Sequence, residues 1–135
     1  MALVEWKNAY STNIEVVDNQ HKRLVGFVNE MHEAILMGKG QAVMGTILNN
    51  LVEYTVYHFS TEEKFFDEYN YPDAELHKKQ HRDLVEQVSA IKAKFDAGEK
   101  VLTLDVMNFL RDWLHDHILG SDVHFGPFLN SKGVH

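Results

Sequence analysis

Residues 73–98, DAELHKKQHRDLVEQVSAIKAKFDAG, decide the fold. His77, His81, Leu84, Val88, Ile91 and Phe95 recur at alternating spacings of four and three, the period of one face of an α-helix. Asp73 stands where an N-cap belongs and Gly98 where a left-handed C-terminal residue belongs, so the helix is bounded on both sides. Two histidines on a stripe otherwise made of aliphatic and aromatic residues are polar groups aimed at a core. An unsatisfied polar group there costs on the order of 1–3 kcal/mol, so something must compensate.

The segments on either side follow the same period. Residues 41–69 carry Ile47, Leu51, Thr55, His58, Glu62 and Phe65 on one stripe and end at Asn70-Tyr71-Pro72. Ahead of them a helix capped by Asp18 carries Leu24, Val28, Met31 and Ile35 as far as Gly38-Lys39-Gly40. Behind the quoted stretch, a helix from about Leu104 carries Val106, Leu110, Trp113 and His117 before Gly120 interrupts it. Residues 1–17 lack a sustained period and place Trp6, Tyr10, Ile14, Val16 and Val17 among polar residues, which predicts an arm packed across the domain. Strand alternation is absent. The expected fold is all-α: an up-down-up-down four-helix bundle with an N-terminal arm, because each narrow stripe must be buried against the others. Residues 1–135 read as one domain, with the bundle and a short C-terminal segment over 18–130.

Composition narrows the chemistry. The chain has 135 residues, 44% of them hydrophobic and 24% charged, as in one ordinary globular domain. No stretch approaches the roughly 20 apolar residues of a membrane span, and Glu5 and Lys7 interrupt what a signal peptide would keep apolar. A cytoplasmic protein without membrane insertion is expected. The net charge of −7 works against nucleic acid as a partner. Cysteine is absent, which excludes disulfides, thiolate zinc sites, iron–sulfur clusters and cysteine nucleophiles. Nine histidines remain, and imidazole is the side chain that binds transition metals without thiolate.

His58 with Glu62, and His77 with His81, are four apart, so each pair projects from one helix face toward one point. His21 is in line with Leu24 and Val28, and His117 with Leu110 and Trp113, so all four helices supply the core. Asp122 follows His117 by five residues, about 140° round a regular helix, and can join it only if the helix breaks between them. Gly120 is placed for that break. Five histidines and two carboxylates are too many for one tetrahedral zinc. They suit two metals bridged by Glu62 and Asp122, one with three histidines and the other with two and a vacant position. Iron suits these ligands, and spacing leaves manganese and zinc open.

The other histidines fall outside this set. His32 lies eleven positions after His21, roughly 16 Å along the axis, and His115 points about 200° from His117. His124 and His135 are expected at the surface.

Taken together, these residues resemble the hemerythrin family, in its single-domain bacterial branch. The resemblance rests on Trp6, on Asp18-Asn19-Gln20-His21 with Leu24, and on His58-Phe59-Ser60-Thr61-Glu62-Glu63. It continues through Tyr71-Pro72 with His77 and His81, then Trp113-Leu114 with His117-Ile118 and Asp122. The resemblance implies two iron ions in a non-haem di-iron centre with an oxo or hydroxo bridge, and dioxygen as its reversible ligand. It gives His77, His81 and His117 to the saturated iron, His21 and His58 to the open one, and Glu62 and Asp122 to both. Leu114 and Trp113, three and four residues before His117, lean over the turn nearest the metal and would wall an oxygen pocket, with Leu24, Phe59 and Ile118 beside them. Leu114 is the expected lid.

The function expected is oxygen carriage, storage or delivery to an oxygen-consuming enzyme, without catalysis. Two ferrous ions against two carboxylates and one hydroxide leave the centre near one positive charge, whereas oxygen-activating ferritin-like sites gather four carboxylates and paired Glu-x-x-His motifs absent here. Two alternatives stand beside it: oxygen or redox sensing through a separate partner, and a di-iron peroxidase or nitric-oxide-handling activity.

Overall fold

A computed structural model describes residues 3–101 and 103–135. The predicted helices are present as α1 (Glu15–Leu36), α2 (Gly40–Tyr69), α3 (Ala74–Asp96) and α4 (Thr103–His117). A π-helical turn, Ile118–Asp122, leads without interruption from α4 into α5 (Val123–Ser131). No strand occurs among the described residues. Left-handed residues end the first three helices: Gly38 at φ 71°, Asn70 at φ 54° and Gly98 at φ 80°. Short connections then return each chain segment antiparallel to the last.

Helix α1 packs on α2 and α4, and α2 packs on α3, while α3 and α4 stand further apart and leave a cleft of about 340 Å³ between them. Two apolar clusters fill the interior. The larger is built on Leu24, Val28, Met31, Leu48, Phe59, Leu84 and Leu110, and the smaller holds Ile14, Val17, Phe66, Tyr71, Phe125 and Leu129. Phe59 and Phe66 belong to different clusters and lie two turns apart on α2, with Glu62 between them. A polar layer is therefore sandwiched across the bundle between two greasy plugs.

Three expectations need correcting. Asp18 is not an N-cap: α1 begins three residues earlier, and the Asp18 carboxylate turns back to accept the Thr12 N–H at 2.8 Å and the Thr12 hydroxyl at 2.9 Å. It pins the arm, which consequently ends near Ile14 rather than at residue 17, and Val16 faces solvent while Tyr10, Ile14 and Val17 are buried. The residues after Asp122 are not a short trailing segment but α5, whose Phe125 and Leu129 are wholly buried. The arm crosses α5 so closely that a Cβ on Gly126 would stand 2.5 Å from the Thr12 carbonyl oxygen.

Candidate metal centre

His21 of α1, His58 and Glu62 of α2, His77 and His81 of α3, His117 of α4 and Asp122 of the π turn meet in the buried polar layer. They form two groups that share both carboxylates, His21, His58, Glu62 and Asp122 on one side and His77, His81, His117, Glu62 and Asp122 on the other, with ligand atoms within 4.8 Å in each group. Each carboxylate divides its oxygens between the two. Glu62 Oε2 lies 3.3 Å from His21 Nε2 and 3.4 Å from His58 Nε2, while Oε1 lies 3.1 Å from His81 Nε2 and 3.8 Å from His77 Nε2. Asp122 Oδ2 lies 2.9 Å from His21 Nε2, and Oδ1 lies 2.8 Å from His77 Nε2 and 3.0 Å from His117 Nε2.

Asp122 arrives there through the π turn rather than a break at Gly120. The Val123 N–H bonds to the Ile118 carbonyl, five residues back, and this wider turn carries Asp122 round toward the side of His117. Gly120 keeps negative φ and has open space around it.

The electrostatics ask for positive charge between the carboxylates. Nine buried side-chain atoms have no hydrogen-bond partner among the described residues, and all belong to His21, Glu62, His77, His81, His117 and Asp122. All but His21 Nδ1 lie close together and converge on the two shared positions instead of aiming at one another. Burial disfavours both carboxylates in charged form and Asp122 further opposes Glu62. His58 and His21 nevertheless hold Glu62, and His117 and His21 hold Asp122, below the usual carboxylate range. Burial likewise disfavours a charged His21, yet Asp122 and Glu62 push it up to about 10, and His81 is raised by Glu62 and Glu63. Burial dominates at His58, which falls to about 4. Protons on the imidazoles do here what a pair of cations would do better, since cations would satisfy the orphaned nitrogens and oxygens together.

Two residues behind the ligand set carry no role in the sequence reading. The Gln20 amide oxygen lies 2.6 Å from His58 Nδ1, and Gln20 in turn donates to Thr61. Glu63 Oε2 lies 3.0 Å from His81 Nδ1. Such partners fix which ring nitrogen faces inward. Both stand in the stretches that carry the family resemblance, Gln20 before His21 and Glu63 after Glu62, but they lie off the main stripes, where periodicity assigns them no role. Phe59 stacks on His81 with centroids 3.7 Å apart, and Trp113 stacks on His117 at 4.4 Å.

One turn from the imidazoles, a cavity of about 20 Å³ is lined by Leu24, Val28, Leu51, Thr55, Phe59, Leu84, Leu110, Trp113 and Leu114. Four of the five predicted pocket residues are there. Ile118 is not; it is buried in the π turn as part of the larger core. The cavity is about the size that holds one small molecule such as water.

His32 is half-buried away from the cluster, and His115, His124 and His135 are exposed, with His115 beside Asp116 at 3.3 Å. Alanine at His32 or His115 is therefore expected to leave metal content unchanged, as elemental analysis of the purified variants would read; loss of metal from either would contradict the register described.

Residues 12–129 match the hemerythrin HHE cation-binding domain family. The chain is 36% identical to bacteriohemerythrin of Methylococcus capsulatus (strain Bath) over 97% of its own length and 100% of that protein's. It is 37% identical to bacteriohemerythrin of Pseudomonas aeruginosa PAO1 over 90% and 78% of the two chains. A solved structure of wild-type hemerythrin superposes with a TM-score of 0.86 at 36% identity, covering 93% of this chain and 97% of that one. The chain belongs to the hemerythrin family. No helix among the described residues is long and apolar enough to cross a membrane.

Proposed function

We propose that this protein binds dioxygen reversibly at a di-iron centre and serves to carry, store or deliver it. The observation that carries this reading is the division of each carboxylate's oxygens between a two-histidine and a three-histidine side. His77, His81 and His117 would hold one iron, His21 and His58 the other, and Glu62 and Asp122 both. The two-histidine position is one ligand short of its neighbour, which leaves room for a small molecule. When bound, the iron pair would supply the electrons and the open position that dioxygen needs.

The chain's own residues do the rest. Gln20 and Glu63 hold the His58 and His81 rings in one orientation. Leu24, Phe59, Trp113 and Leu114 keep the neighbouring cavity apolar, so that a diatomic enters without a train of water. Neutral imidazoles outnumber carboxylates, a donor set that keeps ferrous iron accessible and favours binding over turnover.

The test is an optical spectrum of iron-loaded, anaerobically reduced protein before oxygen, after oxygen and after its removal, with iron counted in parallel. A colourless-to-coloured change that reverses, at about two irons per chain, is the expected result. An irreversible change would favour oxidation chemistry, and a chain that takes up no iron would overturn the proposal.

A further inference from the structure

A π turn is a poorer helix than the α form around it, and a local form of that kind persists only where its surroundings over-determine it. On its inner side the turn Ile118–Asp122 is held by burial of Ile118 and Asp122. On its outer side Gly120 offers nothing to grip. Leu119 is half-buried against the larger cluster, and beside it stands Ser121, whose hydroxyl donates to the Gln80 side-chain oxygen at 2.8 Å.

The place of that bond is informative. Gln80 stands on α3 between His77 and His81, and Ser121 immediately precedes Asp122. The bond spans the sparsely packed seam between α3 and the end of α4. A cleft opens on each side of it, one of about 340 Å³ reaching Trp113 and His117, the other of about 160 Å³ reaching His77 and His124. Among the described residues, apart from the approach of His77 Nε2 to Asp122 Oδ1 inside the site, no other side-chain hydrogen bond or ion pair joins α3 to α4 or to the turn. A strut between two open clefts contributes little to the core but fixes the register of the turn.

We propose that Ser121 and Gln80 are positioning residues whose hydrogen bond locks the π turn against α3 and so holds the Asp122 carboxylate between His77 and His117. The inference rests on the metal-centre reading given above. Without the strut the turn is free to shift toward regular α geometry, which in the limit would leave Asp122 about 140° round the helix from His117.

The test compares loss of ferrous iron from loaded wild-type, Ser121→Ala, Gln80→Ala, Ser121→Thr and the double alanine variant under excess chromogenic chelator, alongside melting temperatures of the metal-free chains. Loss is expected to be roughly 10- to 100-fold faster in each alanine variant, the usual effect of removing a partner behind the ligands. The double variant should be no worse than either single one, because both remove the same bond. Ser121→Thr, which keeps the hydroxyl, should retain iron as wild-type does. Metal-free melting temperatures should coincide, which a merely structural role would not allow. Wild-type retention in Ser121→Ala, failure of threonine to rescue, or a drop in metal-free melting matching the metal loss would each overturn the strut while leaving the metal centre standing. A wild-type chain that takes up no iron would overturn both.

Discussion

Glu62→Ala should empty both metal positions together, and Asp122→Ala should do the same. Glu62 is completely buried and gives one oxygen to the His21 and His58 side and the other to the His77 and His81 side. Removing it strips negative charge from both positions at once and leaves Asp122 as the one shared carboxylate to offset two divalent ions in a buried site. No nearby carboxylate can substitute, because Glu63 turns outward to the far nitrogen of His81. Glu62→Gln separates charge from volume: it fills the same space and should still lose metal. Metal analysis of the folded variants checks this, and retention of both ions in either alanine variant would show that the carboxylate does not bridge.

Leu114→Ala should leave metal content intact and shorten the lifetime of the oxygenated form. Leu114 is not one of the proposed ligands, is 8% exposed, and lines the cavity one turn from His117. Truncation should cost on the order of 2–5 kcal/mol of stability, near the lower end because the space opens into an existing cavity that already interrupts the packing. The larger consequence is chemical. Under the proposed function, an apolar wall would keep water and protons from the open position, and their entry would favour oxidation of the centre over release of dioxygen. Stopped-flow or manual spectra following decay of the coloured form, at matched iron content, measure it. A wild-type decay rate in a folded Leu114→Ala protein would make Leu114 ordinary core and leave the wall to Leu24, Phe59 and Trp113.

Most of the scaffold was legible because stripes and stops are local. The run from His77 to Phe95 needs only a helical period, and Gly38, Asn70 and Gly98 announce the helix ends that they make. The seven clustered residues were legible because all interrupt an apolar stripe or, for Asp122, follow one at a spacing only a non-α turn satisfies. The rest depended on non-local contacts. Asp18 has the chemistry of an N-cap, and only the fold shows its carboxylate spent on Thr12. Gly126 and Pro127 stand inside α5, where glycine and proline carry penalties of about 1 and 3 kcal/mol in a helix interior. Complete burial of Phe125 and Leu129, at roughly 1.5–3 kcal/mol each, offsets that, and nothing in the local sequence announces the pocket waiting between Ile14, Val17 and Phe66. Gln20 and Glu63 reach sideways from their helices, where periodicity carries no information.

The crossing of the arm over Gly126 bears on the order in which the chain assembles. The Asn130 side chain donates to the Asn13 carbonyl across 117 residues, beside the contact between Thr12 and Gly126, so docking the arm closes almost the whole chain into a loop. Contacts of such span bring their reward only after their entropy has been spent, and they form late, after the local hairpins of α1 with α2 and α2 with α3. His21, His58, Glu62, His77 and His81 belong to those early hairpins, whereas His117 and Asp122 lie in the last part of the chain to be brought in. A nascent chain would thus present a site still lacking His117 and Asp122, open on one side, and docking of the last helices under the arm would shut it as the final act of folding.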